Sequence, residues 1–178
     1  MLEGKTVRLR SIELADVDEL LKGWNDLELR NLVGAAAQGP MSRWEEEEWI
    51  RSIWREKQAK TRFTFAIERI EDRMLLGTTG LFNINWVDKS AVCGIDVAGR
   101  GNWGKGYGSE AMRLLLDFAF KSLNLHRVEL NVMDFNERAQ RCYRKVGFKE
   151  VGRKRQARFI DGKYHDAVLM DVLRDEWS

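Results

Sequence analysis

The sequence predicts a mixed α/β (α+β) fold, built as one domain on a single sheet. Apolar residues that alternate along the chain mark strands that come early and in pairs. A strand, a glycine-rich loop, a helix, a strand, a helix and two strands follow, which is typical of helices packed on one sheet. The 178 residues contain no internal repeat or linker, and Pro40 is the only proline. We therefore assign residues 1–178 to one domain.

The order of elements follows from the period of the apolar residues. Strands are predicted at residues 6–12, 63–68, 75–86, 91–97, 126–132, 148–159 and 163–173. Helices are predicted at residues 15–24, 42–57, 109–123 and 136–146. Ser42 followed by Glu45 is a capping-box pattern, which favours a helix start at this point.

Composition excludes several classes of protein. The 30 basic and 28 acidic side chains give a net charge of +2, which requires neither a nucleic-acid nor a membrane partner. No signal-peptide pattern opens the chain, and no run approaches the roughly 18 apolar residues of a membrane span. The two cysteines, Cys93 and Cys142, fit a reduced compartment. His126 and His165 lack metal-ligand spacing, so we expect a soluble, cytoplasmic protein without a metal site.

The glycine-rich loop holds five glycines within residues 99–108, between an apolar strand and a long helix. Glycine lets the backbone approach a ligand closely, and free N–H groups at a helix start bind anions. The helix dipole adds about half a positive charge there. The loop therefore indicates a site for an anion such as a pyrophosphate.

Two common phosphate motifs fit this loop poorly. Gly99-x-Gly101-x-x-Gly104 matches the dinucleotide pattern, but no acidic residue ends a second strand about 20 residues further on. Gly104-Lys105 could close a phosphate loop of the nucleotide triphosphatases. That motif needs a serine or threonine next for Mg²⁺, and Gly106 stands there.

A third pattern fits better. Gly106-x-Gly108, preceded by Trp103, resembles the acetyl-CoA pyrophosphate loop of the GNAT acetyltransferases, Gln/Arg-x-x-Gly-x-Gly/Ala, with Trp103 replacing Gln or Arg. Residues 123–130 and 136–148 resemble the second half of that family's acyl-CoA site. With residues 162–166, the chain is similar to the branch of ribosomal-protein and spermidine N-acetyltransferases. The resemblance implies a single GNAT-type domain with a mostly antiparallel, twisted sheet, helices on its faces and splayed strands at the acetyl-CoA site.

The resemblance also implies a set of site residues, with acetyl-CoA as co-substrate and no metal. Seven residues would hold the pyrophosphate: Trp103, Gly104, Lys105, Gly106, Tyr107, Gly108 and Ser109. The pantetheine arm would pair with the backbone of Ile95 and Val97, and Asn136 would hydrogen-bond that arm. Tyr143 would be the general acid that protonates the departing thiolate, since a phenol has an ordinary pKa near 10. Packing alone for Tyr143, and helix capping alone for Asn136, remain alternatives.

The sequence does not identify which residue is the general base. Many relatives of this branch carry a glutamate in the strand before the loop, where this sequence has Val92. Asp96, Glu129 and His126 are candidates, and none is preferred. The acidic run at residues 45–48 either attracts a cationic substrate or forms a solvated helix face.

The sequence thus predicts an N-acetyltransferase that moves an acetyl group directly to a primary amine. The acceptor is expected to be a protein N-terminus or a small polyamine or amino compound. A non-catalytic acyl-CoA-binding module and a nucleotide-binding phosphate-loop protein are the alternatives. No membrane or nucleic-acid partner is expected, and a homo-oligomer is compatible with the sequence.

Overall fold

The computed structural model describes residues 2–35 and 39–177. These residues form an eight-stranded sheet with the order β1-β2-β3-β4-β5-β6-β8-β7. The strands are β1 Leu2–Glu3, β2 Val7–Arg10, β3 Phe63–Arg69, β4 Leu75–Asn85, β5 Ser90–Val97, β6 Arg127–Met133, β7 Lys149–Ile160 and β8 Lys163–Leu173. The assignment of residues 1–178 to one domain extends over residues 1, 36–38 and 178, which lie outside the described part.

Helices lie on both faces of the sheet. They are α1 Val17–Trp24, α2 Leu27–Leu32, α3 Arg43–Gln58, α4 Tyr107–Asp117 and α5 Glu137–Val146. The capping box predicted for α3 is confirmed, since the Ser42 N–H donates to the Glu45 carboxylate at 2.7 Å and the Glu45 N–H donates to the Ser42 hydroxyl. None of the described helices is both long and apolar enough to cross a membrane.

The sheet is mostly antiparallel, and its exception positions the functional site. β5 and β6 are parallel and pair only from Ser90↔Arg127 to Val92↔Glu129. The rest of β5 stays paired with β4 as far as Val97, while β6 stays paired with β8 as far as Met133. The two strands therefore separate after Val92, which confirms the predicted splay. We call the opening between residues 93–97 and 130–133 the fork.

The core lies on the face of the sheet that α4 covers. Met112, Leu115 and Leu116 of α4 are fully buried against β-strand side chains such as Leu81 and Val128. A smaller cluster of Val17, Leu20 and Ile50 joins α1 and α3 on the other side. Each such side chain contributes about 1.5–3 kcal/mol by leaving water. The core thus fixes α4, and with it the loop at its start, against β5.

Two short elements differ from the prediction. The opening strand, expected at residues 6–12, is the shorter β2, which ends at Arg10, and β1 is an additional strand before it. β1 has only two residues, too few to show alternation. α2 has six residues and begins at an Asp26 side chain that accepts the Glu28 N–H at 2.9 Å. A helix of this length shows less than two turns of period, which explains why it was missed.

Candidate active site

A cavity of about 860 Å³ occupies the fork. The loop before α4, the end of β5 and one side of α5 form one half of its wall. Residues of α1, α3, β4 and the end of β6 form the other half. The cavity brings together the glycine loop, Tyr143 and Asn136, which the sequence predicted to act together.

The start of α4 offers free backbone donors to this cavity. Gly106 is the N-cap with φ of 91°, and no side chain caps the helix. Tyr107, Gly108 and Ser109 follow and line the cavity. No atom lies within 4 Å of where a Cβ of Gly104 or Gly106 would stand, so the space beside the loop is open. The arrangement suits an anion, because orphan N–H groups and the helix dipole point the same way.

Trp103 is held in the loop by a contact that the sequence did not predict. Its indole N–H donates to the Val97 carbonyl at 2.7 Å. The guanidinium carbon of Arg138, from α5, lies 3.4 Å from the centre of the Trp103 ring. Burial lowers the pKa of Arg138. The ring of Trp103, which replaces the family's Gln or Arg, therefore has the Arg138 guanidinium on its face. Because Arg138 lies far from Trp103 in the sequence, no local motif predicts this contact.

Lys105 differs from the other six predicted loop residues. It is exposed on the outside of the loop, whereas Trp103, Gly104 and residues 106–109 line the cavity. Any contact of Lys105 with a ligand would be made at the mouth of the cavity. Its role stays a prediction.

The edge of β5 is open along the fork. The Ala98 N–H donates to the Leu76 carbonyl of β4 at 2.7 Å. Because backbone groups alternate sides along a strand, those of Ile95 and Val97 point away from β4 toward the fork. Trp103 uses the Val97 carbonyl, and β6 has already diverged. The backbone of Ile95 and the Val97 N–H thus point into the fork, and their pairing with the pantetheine arm stays a prediction.

Tyr143 lies on α5 and faces the cavity. It is 7% exposed, and its ring packs edge-on against Phe148 with centroids 5.9 Å apart. Burial, and then the neighbouring thiols and Asp96, raise the pKa of Tyr143. The hydroxyl makes no hydrogen bond within residues 2–35 and 39–177. The raised pKa keeps the phenol protonated at neutral pH, and no acceptor in the described residues competes for its O–H.

Asn136 has a structural role in the described chain. It is the N-cap of α5, where its side-chain oxygen accepts the Ala139 N–H at 3.2 Å. Its amide nitrogen donates to the Leu32 carbonyl at 3.3 Å. An amide has further donor and acceptor capacity. Capping is thus present, and the predicted contact with the coenzyme arm stays a prediction.

The three candidate bases lie in different places. Asp96 lines the cavity, and its carboxylate accepts the Thr78 hydroxyl at 2.5 Å and the Thr78 N–H at 3.1 Å. Glu129 lies at the last paired position of the strands and forms an ion pair with Arg127. His126 is exposed just before β6. Only Asp96 of the three has access to the fork.

Glu46 is a further acidic side chain of the cavity, and sequence reasoning did not single it out. It is 4% exposed and lines the cavity from α3. Burial, and then the nearby Asp96 carboxylate, raise the pKa of Glu46 to about 7. The spacing in the sequence indicates that Glu46 is buried, because position 46 shares a helical face with Ile50 and Ile53, which are buried.

Residues 6–149 match the family described as the acetyltransferase (GNAT) domain. The chain belongs to the GNAT acetyltransferase family. This GNAT enzyme is 30% identical to the uncharacterized N-acetyltransferase p20 of Bacillus licheniformis, over 99% of the chain and 98% of p20. It is 29% identical to a spermidine N(1)-acetyltransferase of Vibrio cholerae, over 95% and 94% of the two chains.

A solved structure agrees with these matches. The Vibrio cholerae spermidine N-acetyltransferase in complex with CoA and spermine superposes with a TM-score of 0.85 and 27% identity, over 96% of this chain and 97% of that one. The predicted family and GNAT-type fold are confirmed. The chain is an acetyl-CoA-dependent N-acetyltransferase, which favours the predicted enzyme over a binding module or a nucleotide phosphate-loop protein.

Proposed function

We propose that this GNAT enzyme transfers the acetyl group of acetyl-CoA directly to a primary amine, with Tyr143 as the general acid. One observation carries the proposal. A cluster of free helix N–H groups, an open strand edge and a proton-bearing phenol line the same cavity. The N–H groups suit a diphosphate, the open strand edge suits an extended pantetheine arm, and the phenol can protonate a thiolate.

The coenzyme would lie on the loop half of the cavity. Its pyrophosphate would accept the N–H groups of residues 106–109, and the guanidinium of Arg138 would add a charge-assisted contact. Its arm would pair with Ile95 and Val97 as an added strand, with Asn136 beside it. The thioester would then reach the fork, where a backbone N–H of β5 polarises the carbonyl.

The chemical steps then balance as follows. The neutral amine attacks the thioester carbon, forming the C–N bond of a tetrahedral intermediate. The C–S bond breaks, and the Tyr143 hydroxyl gives its proton to the leaving thiolate. The phenolate then recovers a proton from the new amide nitrogen, because its raised pKa makes it strongly basic. General acid catalysis of this kind is worth about 10²–10⁴ in rate.

A turnover assay tests the proposal. Acetyl-CoA is mixed with amines of two classes, spermidine as a polyamine and a peptide with a free N-terminus, and release of CoA thiol is followed. The Vibrio cholerae relative that holds CoA and spermine makes a polyamine a reasonable first acceptor. We expect acetylated amine and thiol in equal amounts. Tight coenzyme binding without thiol release for any amine would contradict the proposal.

A further inference from the structure

Glu46 is a buried carboxylate without a counter-ion. Its neighbours in the acidic run have other partners: Glu45 caps α3 through Ser42, and Glu47 and Glu48 pair with Arg51. Glu46 is 4% exposed and forms neither an ion pair nor a hydrogen bond with its side chain in the described part of the chain. Unpaired charges are rarely retained in an interior, because burial removes their hydration.

Asp96 lies beside it, on the side of the fork opposite the coenzyme loop. A Cβ on Gly108 of α4 would contact the side chains of Ile95 and Val97, so these two face α4. The side chain of Asp96, between them, points to the other face, where Thr78 holds it. Asp96 is close enough to raise the pKa of Glu46. Both carboxyl groups therefore line the fork on the side away from the diphosphate cradle.

The surrounding wall is aromatic. Trp24, Trp49 and Phe82 line this half of the cavity, and the Nε1 atom of Trp24 is buried without a hydrogen-bond acceptor in the described residues. Arg62 is a cation in this same wall, where it already covers two of these rings. Its guanidinium stacks over Trp49 and Phe82 and lies 3.6 Å from Glu56. Aromatic faces and carboxylates both attract an ammonium group.

We propose that Glu46 and Asp96 form the acceptor subsite for a cationic aliphatic amine, and that Glu46 takes the proton from its ammonium group before attack. This inference rests on the proposed function and names its substrate class. Glu46 in its carboxylate form becomes a carboxylic acid, and the ammonium becomes a neutral amine that attacks the thioester. The proton leaves to solvent after the amide has formed, so that the net products are amide, thiol and one proton.

The properties of Glu46 suit an aliphatic amine better than a peptide N-terminus. An α-amino group has an ordinary pKa of about 8 and is partly neutral already, whereas a lysine-like amine near 10.4 needs a base. A base is most effective when its pKa lies near the working pH, and that of Glu46 is about 7. Besides Glu46, the charged and titratable groups that line the cavity are Arg62, Cys93, Asp96, Tyr107, Arg138, Arg141, Cys142, Tyr143, Lys145 and Arg158.

The pH dependence of kcat/KM with spermidine separates this mechanism from its alternative. If Glu46 is the base, kcat/KM rises up to about pH 7, stays level, and falls above roughly pH 10, because the reactive pair is ionised Glu46 with protonated amine. Without a base only the neutral amine reacts. In that case kcat/KM rises about tenfold per pH unit up to roughly pH 10. A continuous rise in the wild-type enzyme would overturn the inference even if no variant could be purified.

The variant Glu46→Gln is the second arm of the test. We expect kcat/KM for spermidine at pH 7.5 to fall by about 10²-fold or more, and the level region of the profile to become a continuous rise. The dissociation constant of CoA, measured by calorimetry, should stay unchanged. The matched control is Glu48→Gln on the same helix, whose side chain pairs with Arg51 outside the cavity. This control should behave as wild type.

The outcomes distinguish this inference from the proposed function. Wild-type kcat/KM and profile in Glu46→Gln, with Tyr143→Phe inactive, would overturn the acceptor subsite alone. Turnover with the peptide N-terminus but not with spermidine would also overturn it and leave acetyl transfer intact. A wild-type protein that binds CoA and acetylates no amine would overturn the proposed function itself.

Discussion

The two halves of the cavity present different chemical groups. The half formed by the loop and α4 offers mainly backbone, with N–H groups at residues 106–109 and the strand edge of Ile95 and Val97. The half formed by α1, α3 and β4, together with the face of β5 that carries Asp96, offers side chains, with the carboxyl groups of Glu46 and Asp96 among aromatic rings. One half suits an anion and the other a cation. A single cavity can therefore hold two substrates of opposite charge and bring them together at the fork.

This difference leads to different expectations for mutants. A ligand held by main-chain donors tolerates most side-chain changes except those that fill or charge the cradle. A ligand held by side chains depends on each of them. Single substitutions in each half therefore test the contrast.

Gly106→Glu should abolish coenzyme binding, with affinity for CoA lowered by at least about 100-fold. The new carboxylate would enter the anion cradle, and a side chain at φ of 91° would strain the start of α4. Isothermal calorimetry with CoA measures the loss. Gly101→Glu is the control, because Gly101 is exposed in the same loop and has no atom within 4 Å of an added Cβ. Equal affinity in both variants would refute the assignment of the loop.

Tyr143→Phe should lower kcat by about 10²–10⁴, the usual range for a lost general acid, and leave CoA affinity unchanged. The phenyl ring keeps the contact with Phe148, so folding should be preserved. Stopped-flow measurement of thiol release gives the rate, and calorimetry gives the affinity. A variant with the wild-type kcat would leave Tyr143 with a packing role only.

Arg138→Ala should weaken acetyl-CoA binding by about tenfold, as expected for one charge-assisted hydrogen bond. The effect should appear in KM for acetyl-CoA and diminish as salt is added, with kcat little changed. Arg144→Ala on the same helix is the comparison, since Arg144 pairs with Glu150 outside the cavity. A loss of the same size in both variants would mean that general surface charge, and not the stack on Trp103, is responsible.

Asn136→Ala should have the smallest effect on transfer and a clear effect on stability. Loss of the α5 cap should lower the free energy of unfolding by about 0.5–2 kcal/mol. Asn136→Asp keeps a capping oxygen and should restore most of that stability. Urea unfolding compares the two. If Asn136→Ala instead raises KM for acetyl-CoA strongly at unchanged stability, its coenzyme contact outweighs its capping role.

The two halves also differ in how far the sequence predicts them. Much of the predicted coenzyme half lies in one continuous loop and the start of the helix after it, so the resemblance to the GNAT loop could be read locally at Gly106 and Gly108. Tyr143 was predicted from the same resemblance, by its position seven residues after Asn136. The acceptor half is assembled from α3, β4 and β5, whose contacts arise only when the sheet forms. The sequence offered three candidates for the general base. In the fold only Asp96 of these three lies at the fork, and Glu46 is a further candidate there.

The contact between Trp103 and Arg138 shows the same limit. The loop pattern revealed that a Gln or Arg was replaced, and nothing local revealed that a guanidinium from α5 lies on the replacing ring. The short elements were not predicted from the sequence for a different reason. β1 and α2 are too brief for a period to be visible, and their formation depends on neighbours distant in the chain.

A crystal structure with CoA bound would show whether the start of α4 holds the diphosphate and where the thioester lies. We expect the diphosphate within hydrogen-bond distance, about 2.7–3.2 Å, of the N–H groups at residues 106–109. We also expect the coenzyme sulfur within about 4 Å of the Tyr143 hydroxyl, on the same side of the fork as Ile95 and Val97. A coenzyme bound elsewhere on the molecule, or a Tyr143 hydroxyl turned away from the sulfur, would contradict this arrangement.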